Sequence, residues 1–454
     1  MAARLDDRFA LLTGGSRLSL PRQQTLRATM EWSYRLLTTR ERWLLRRLAV
    51  FAGGCTLEAA EAMCAAAGIT GAEALDLLGG LIGQSLLGWE ERDGTGRYRL
   101  LETVRQYAWE QLVADGDDAQ ARERHARYYL ALAEAAEQRW VGANHGHWLA
   151  RMAAENDNLR AALHWARETG QGEIGLRIGA ALGRFWHDQG HLTEACTAYA
   201  ALLATGAGTP AVRAKALLAA SVVAIERGDY TWGTALCEES ITLNQRMGNA
   251  PYVSAALTTL GIIAQRQGDP ARGAALCAEG LALGRQVGDS WTTGYALNYL
   301  AFAVLDQGDD VRAEALCLES LALARTMGEM QGTAILLLTL GQVVHRQGDV
   351  RRAERWYRES LALHEEEGLT VNLAVCLEGL AAVVAVQGRA EEAAQFLGRA
   401  TAARAAVGLF LPPASRAVID AVVAATRAAL GEEAFAAAWA TGCVPSTSRP
   451  SSDG

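Results

Sequence analysis

A Gly-Asp step returns every 40 residues through the second half of this chain, at Gly228-Asp229, Gly268-Asp269, Gly308-Asp309 and Gly348-Asp349, and Gly388-Arg389 continues it. A second series, Gly248, Gly288, Gly328, Gly368 and Gly408, runs at the same period. Glycine ends a helix at low cost because it adopts a left-handed backbone without a Cβ clash. Two such stops per period predict two helices per unit. A fixed period predicts stacked copies of that unit, each burying its neighbour's apolar face, rather than one globular core.

The side chains between the glycines agree. The first helix carries Leu217, Leu257, Leu297, Leu337 and Leu377, followed three residues on by Ala220, Leu260, Leu300, Leu340 and Leu380. The next position is small (Ser221, Gly261, Ala301, Gly341, Ala381), and three further on lie Ala224, Ala264, Val304, Val344 and Val384. This is one apolar stripe of a helix. The second helix repeats a small residue at Gly233, Gly273, Ala313, Ala353 and Ala393, with a larger one four later: Cys237, Cys277, Cys317, Tyr357 and Leu397. Small residues at fixed points let paired helices approach closely. The pattern resembles the tetratricopeptide repeat, whose usual period is ~34, here in a longer form. Leu182, Gly183, Gly190, Ala195 and Tyr199 fit the same template as a divergent earlier unit. Long helical patterns over 119–140 and 147–168 precede it. After Gly408 the pair Pro412-Pro413 breaks the array, and helices over 415–430 and 432–441 are expected to cap its open apolar face. Residues 445–454 are polar and expected to be disordered.

Residues 25–115 read differently. Helical stretches over 25–37, 39–51, 57–67 and 71–84 lead to strands near 86–90 and 97–100, joined by Asp93-Gly94-Thr95-Gly96, and then to a helix over 102–112. Thr39 is the expected cap of the second helix. Helices followed by a hairpin make a winged-helix arrangement. The helix before the hairpin would be the DNA-reading one, yet it carries Glu73 and Asp76, and no basic residue occurs from Leu48 to Glu91. DNA affinity rests on phosphate neutralisation by basic groups, so a structural role is expected and direct DNA binding is not. The expected fold is mostly α, a small winged-helix domain followed by an α-solenoid. Its divisions are a linker over 1–24, the winged helix over 25–115, a helical linker with the divergent repeat over 116–210, the period-40 array over 211–410, a cap over 411–443 and a tail over 444–454.

Charge and cysteine content narrow the function. The formal net charge is -8, which gives no bulk attraction to nucleic acid or anionic lipid. Residues 1–50 nonetheless carry ten Arg against four acids, and Lys215 is the only lysine. Eight cysteines without a C-x-x-C pair in 454 residues do not make a disulfide framework, so a reducing cytoplasm is expected. The N-terminus lacks a secretory signal pattern. The uncharged run over 247–265 is broken by Asn249 and Pro251, so no membrane span is predicted.

Several strings together resemble one class of bacterial regulators. They are residues 5–11, Leu20-Pro21-Arg22-Gln23-Gln24-Thr25-Leu26, Trp32-Ser33-Tyr34, Leu48-Ala49-Val50-Phe51-Ala52-Gly53-Gly54, Arg97-Tyr98-Arg99-Leu100-Leu101-Glu102-Thr103-Val104-Arg105 and Glu155-Asn156-Asp157-Asn158-Leu159-Arg160. The class is the signal-transduction ATPases of the LuxR and AfsR type, which join a nucleotide-binding domain, a winged helix and a tetratricopeptide array. The resemblance implies that the ATPase domain, which precedes the residue matching Leu5, is missing here, as is the helix-turn-helix that often follows. A phosphate-binding G-x-x-x-x-G-K-S/T loop needs a Lys, and Lys215 lies on a repeat helix. The expectation is the sensor and relay half of such a regulator, as a truncated product, a split partner or a standalone adaptor. A separate ATPase or DNA-binding subunit would then be a partner.

Chemistry-bearing candidates are few. His187 and His191, in His-Asp-Gln-Gly-His, have zinc-helix spacing only if the helix is unbroken, and Gly190 falls at a turn. His145 and His147 could chelate but read as surface residues. Leu12-Thr13-Gly14-Gly15-Ser16 is Gly-rich but reads as a plain turn. Arg40, Arg42, Arg46 and Arg47 could form a nucleic-acid patch, a solvated face or a surface toward the ATPase domain. No catalytic residue, cofactor or metal is expected, and the chain reads as non-catalytic. Stacked helix pairs leave an extended concave surface. By the resemblance, the first helix of each repeat lines it, which places Lys215, Gln265, Arg266, Tyr295, Asn298, Asp306, Gln342, His345 and Arg346 along a groove for a peptide or protein. The reading is an interaction scaffold or sensor in signalling or transcription control. The alternative is a DNA-binding regulator acting through the winged helix.

Overall fold

A computed structural model describes residues 21–92, 95–139, 145–366, 372–407 and 413–443. The segment 1–20, with its Gly-rich stretch, the hairpin turn at 93–94 and the tail 444–454 lie outside the described residues. The chain divides into two compact units, residues 1–131 with 154–168, and residues 132–153 with 169–454. No helix among the described residues is long and apolar enough to cross a membrane.

In the first unit, α1 (Pro21–Leu36), α2 (Thr39–Leu48), α3 (Leu57–Ala65) and α4 (Gly71–Gly83) precede the antiparallel strands β1 (Gly88–Arg92) and β2 (Thr95–Arg99). Then come α5 (Glu102–Ala114) and the first part of α6 (Asp118–Glu137). Tyr98 also exchanges two backbone hydrogen bonds of 2.8 Å with Cys55, which adds a third chain to the wing. Gly54 makes this possible with φ +75°, for a Cβ there would lie 2.6 Å from the Tyr98 carbonyl oxygen.

Two local expectations need correction. The cap of α2 is Thr38, not Thr39. The Thr38 hydroxyl accepts from the Glu41 N–H at 3.2 Å and the Glu41 carboxylate accepts from the Thr38 N–H at 2.7 Å, a reciprocal capping box that places Thr39 inside the helix. The expected single helix over 147–168 is two, α7 (His145–Ala154) and α8 (Asn156–Glu168), with Glu155 between them. Glu155 is buried and pairs with Arg97 of β2 at 2.5 Å, while Tyr129 donates to it at 2.7 Å and Asn158 at 2.8 Å. Arg97 also donates to the carbonyls of Gly53 and Gly54, and Asn158 accepts from the Ala52 N–H at 2.9 Å. A buried ion pair endures only when its remaining valences are met, and this network meets them. Burial pushes the nearby His125 imidazole down to about 4.

The second unit stacks helix pairs: α9 (Gly172–Asp188) with α10 (Leu192–Leu203), α11 (Pro210–Glu226) with α12 (Tyr230–Met247), and α13 (Ala250–Arg266) with α14 (Pro270–Val287). They continue as α15 (Ser290–Asp306) with α16 (Asp310–Met327), α17 (Met330–Arg346) with α18 (Val350–Glu366), and α19 (Leu373–Val386) with α20 (Ala390–Val407). Each half of the Gly-Asp step has its own task. Gly228, Gly268, Gly308 and Gly348 have φ between +75° and +89° and end the first helix. The following Asp caps the second helix, as Asp229 does by accepting from the Trp232 N–H at 3.1 Å. Gly248, Gly288 and Gly328 close the second helix in the left-handed conformation. Gly368 and Gly408 lie outside the described residues.

Small-against-large packing joins the helices of each pair. A Cβ on Gly341 would sit 2.6 Å from the Tyr357 ring, and one on Gly379 likewise. Tyr199, at the same repeat position, donates to the Gly179 carbonyl at 2.8 Å. Where the large position is Cys277 or Cys317, the thiol is buried and its pKa is pushed up to about 12, which leaves it unreactive. A further periodic bond ties second helix to first. Ser240, Ser320 and Ser360 donate to the carbonyls of Ala214, Gly294 and Ala334 at 2.8–2.9 Å. At the remaining position Gly280 stands in place of serine and the bond is reversed, from Ser254 to the Gly280 carbonyl at 2.7 Å. The array ends in α21 (Pro413–Leu430) and α22 (Glu432–Cys443). There, a Cβ on Gly398 or Gly442 would strike the backbone of the opposing helix.

This packing makes a testable statement. Gly341→Ala overpacks against Tyr357 and is expected to destabilise the array by about 1–3 kcal/mol. Adding Tyr357→Cys recreates the Ala301/Cys317 pairing and should make the double variant more stable than the sum of its single effects, read from urea unfolding in a double-mutant cycle. Strict additivity would mean the two positions do not constrain each other.

Candidate functional site

The first helices of five successive repeats face a common inner surface in the second unit. It encloses a cavity of about 290 Å³. α15 supplies an aromatic column along it, with Trp291 stacked on Tyr295 (centroids 5.4 Å apart, planes 6° apart) and Tyr295 edge-on to Tyr299 at 4.9 Å. These rings recur every four residues and so share one helix face. α11 adds Leu218 and Val222, and α17 adds Ile335 and Leu336. Burial pushes the Tyr299 phenol up to about 12 and raises that of Tyr295 well above its ordinary value, so both stay neutral near pH 7.

A polar clasp closes one side. Arg184 of α9 donates to Glu329 at 2.7 Å, although the two lie 145 residues apart, and Gln331 of α17 donates to Asp188 at 2.6 Å. The array therefore curves far enough for its first and fifth repeats to touch. Glu329 is the N-cap of α17, a place that Asn249 holds at α13 and Asp289 at α15. The longer side chain serves both ends: Oε2 accepts from the Gly332 N–H to cap the helix, and Oε1 reaches Arg184. Glycine at 332 leaves the Glu329 carboxylate room in this position, since a Cβ there would make the carboxylate shift. His187 Nδ1 lies 3.0 Å from Asp188. Burial alone would lower the His187 pKa, but the hydrogen bond and charge of Asp188 carry it above the ordinary imidazole value. α9 ends at Asp188 and Gly190 has φ +71°, so His187 and His191 do not share a helix face. His191 instead packs on Phe185. His145 and His147 begin α7, and the His147 ring lies against Trp148.

Of the residues placed on the groove from sequence, Tyr295 and Asn298 line this cavity. Asn298 is 7% exposed, and its Oδ1 is buried without a hydrogen-bond partner. The others stand elsewhere on the first helices. Lys215 pairs with Glu137 at 2.5 Å, Gln265 donates to Asp306 at 2.6 Å, and Arg346 donates to the Leu305 carbonyl and pairs with Asp310. Gln265, Asp306 and Arg346 thus connect adjacent repeats near the ends of α13, α15 and α17. Arg266 is exposed at the end of α13, while Gln342 and His345 are half-buried on α17, where burial lowers the His345 pKa. Sequence reasoning missed Arg184, Asp188, Glu329 and Gln331, whose meeting depends on accumulated curvature. It also missed Trp291 and Tyr299, which their spacing from Tyr295 could have revealed.

In the first unit the four arginines of α2 are engaged locally. Arg40 pairs with Glu73 at 2.8 Å, Arg46 with Asp115, and Arg47 with Asp117 at 2.5 Å while lying over the Trp43 ring. Arg42 donates to the Leu37 carbonyl. The Thr70 N–H, with Arg40 and the Thr70 hydroxyl, holds the Glu73 carboxyl down to about 2, so α4 begins with a fixed negative charge.

Comparison with known proteins agrees with both units. Residues 37–113 match the model of the winged helix-turn-helix domain, and residues 292–366 and 333–406 match that of the tetratricopeptide repeat. A Mycobacterium tuberculosis (strain H37Rv) protein provisionally named an HTH-type transcriptional regulator is 42% identical over 218 residues, 47% of this chain and 24% of that protein. A second, uncharacterised protein of that strain is 42% identical over 116 residues, 25% of this chain and 30% of the other. The chain thus spans about a quarter of the length of the first of these relatives. A signal-transduction ATPase with numerous domains and a tetratricopeptide repeat sensor, from Pyrococcus horikoshii, superposes with a TM-score of 0.57 at 14% identity. That match covers 87% of this chain and 54% of the other, and at such identity it is a likeness of fold. The chain is a winged helix followed by a tetratricopeptide-type solenoid.

The His187–Asp188 contact predicts its own titration. The His187 imidazole should titrate above 6.5 by NMR. Its contribution to stability is full below 6.5 and is lost as pH rises through the raised value. Asp188→Asn should bring the midpoint below 6.5, because burial then dominates. An unchanged midpoint would show that Asp188 does not hold the charge.

Proposed function

We propose that the second unit is the interaction and sensing module of a bacterial transcription-regulatory system, and that a peptide or protein segment binds its inner surface. The observation that carries this reading is the aromatic column of Trp291, Tyr295 and Tyr299 facing a cavity enclosed by five repeats. Concave apolar sites with a few placed polar groups are the usual form of binding sites. The match to the tetratricopeptide model and the provisional name of the M. tuberculosis relative support it. In this reading the chain works without catalysis of its own, and nucleotide handling belongs to another segment or subunit. The test is selection of a random peptide library on the full chain, followed by anisotropy titration of the enriched peptides. Tyr295→Ala and Asn298→Ala should each weaken binding by about tenfold, the loss of a desolvated contact worth ~1.4 kcal/mol. Failure to enrich any peptide, or affinities indifferent to both substitutions, would remove the reading.

The winged-helix match and the relative's name favour a second reading, DNA binding through α4. Its electrostatics are adverse: Glu73 is ionised, Asp76 follows, and Arg40, Arg46 and Arg47 already have acidic partners. The expected result is no salt-sensitive gel shift with genomic fragments. A sequence-specific shift with a steep salt slope would favour this second reading.

A further inference from the structure

We infer that a cavity in the winged-helix unit, between α5, α6 and α8, binds a small aromatic carboxylic acid as its anion. All of its lining belongs to the first unit, so it is a second site beside the solenoid's inner surface. Its volume is about 360 Å³, toward the lower end of the range of small-molecule sites, which suits one ring with one acidic group. Helical spacing builds the walls: Arg105 and Trp109 stand four apart on α5, Arg122 and His125 three apart on α6, and Trp165 joins them from α8. Trp165 is buried and Trp109 half-buried. A ring between such indoles gains stacked or edge-on contacts beyond simple burial. His125, also buried, is held neutral near pH 7 and adds no charge. Its Nε2 lies 3.4 Å from Asn158 Oδ1, which joins the cavity to the Glu155–Arg97 network.

The anion follows from the charges. Among the described residues of this lining none is acidic, while Arg105 and Arg122 both reach it. Each guanidinium is held from outside the lining. Glu102 accepts from Arg105 Nε and Nη2 at 3.1 and 2.8 Å, and Glu168 accepts from Arg122 Nη2 at 2.7 Å. A guanidinium carries five N–H groups in a fixed fork, so donors remain for a second carboxylate. A cation already fixed in place also loses little freedom on binding. Glu168 further contacts His164 at 3.0 Å, and Arg167 lies 3.1 Å from the other nitrogen of that ring. Three guanidiniums, of Arg105, Arg122 and Arg167, thus stand against two carboxylates, of Glu102 and Glu168, a surplus of one positive charge. One carboxylate cancels it. A dianion exceeds it and gives up more hydration to enter.

The experiment is calorimetric titration of the full chain at pH 7 with benzoate, benzamide, acetate and phenyl phosphate. Benzoate should bind saturably and, at saturation, shift the His125 imidazole signals in NMR. Benzamide keeps the ring without the charge, and acetate keeps the charge without the ring. Each should bind at least tenfold more weakly than benzoate, the loss of a charge-assisted hydrogen bond or of the ring contacts. Phenyl phosphate, a dianion, should also bind more weakly. Arg122→Gln should lower benzoate affinity at least tenfold, and Arg122→Lys should restore part of it. Ala161 of α8 lies on the same lining, so Ala161→Phe should lower the affinity at least tenfold by filling the space. Urea midpoints show whether both variants are folded, and if one is not, the four ligands and the His125 signals of the unaltered chain decide. No saturable benzoate binding, equal affinity for benzamide or acetate, tighter binding of phenyl phosphate, or His125 signals unmoved at saturation would each overturn the inference. So would full affinity in folded Arg122→Gln or folded Ala161→Phe.

Discussion

The structure depends on the close approach of paired helices, set by glycine and alanine facing larger side chains at a 40-residue interval. A single helix pair has one apolar stripe on each helix and no means of covering both. Stacking supplies the cover, and each fully buried leucine of the repeating stripe, Leu297 and Leu337 among them, is worth about 1.5–3 kcal/mol. The separation within a pair is fixed by local size complementarity, as where Tyr357 lies between Gly341 and Gly379. The serine bonds from Ser240, Ser320 and Ser360 repeat that geometry from unit to unit. Curvature then follows from a small rotation per pair, and it is curvature that brings Arg184 to Glu329.

This explains which parts of the fold were legible. The period, the helix ends and the small-large alternation are local or strictly repeated, so glycine positions alone placed most helices of the array within a few residues. The winged helix was legible from its hairpin and from the order of its elements. Two details were not. Thr38 and Thr39 are equally good caps by type, and only the reach of Glu41 back to the Thr38 N–H decides between them. The break at Glu155 has no glycine or proline to announce it. It is imposed by tertiary contacts, as the carboxylate turns inward to Arg97, Tyr129 and Asn158.

The site was legible only in part, for the same reason. Tyr295 and Asn298 sit on the face that the repeat template assigns to the groove. Gln265, Asp306 and Arg346 occupy comparable template positions near the helix ends, where hydrogen bonds between neighbouring repeats engage them. The template registers one repeat at a time and carries no information on contacts four repeats away. The clasp is such a contact. Its signal in the sequence is faint, a glutamate where the neighbouring first-helix caps are Asn249 and Asp289, followed by a glycine that leaves its carboxylate room.

The array closes on itself around a cavity, and the Arg184–Glu329 contact bears on that closure more directly than any other. A double-mutant cycle with Arg184→Ala and Glu329→Ala, read by urea unfolding of the full chain, measures it without reference to any ligand. The pair is partly buried, with side chains 23% and 8% exposed, so a favourable coupling of about 1 kcal/mol that weakens with salt is expected. Effects that add within error at low salt would place the two residues apart and contradict the closed array.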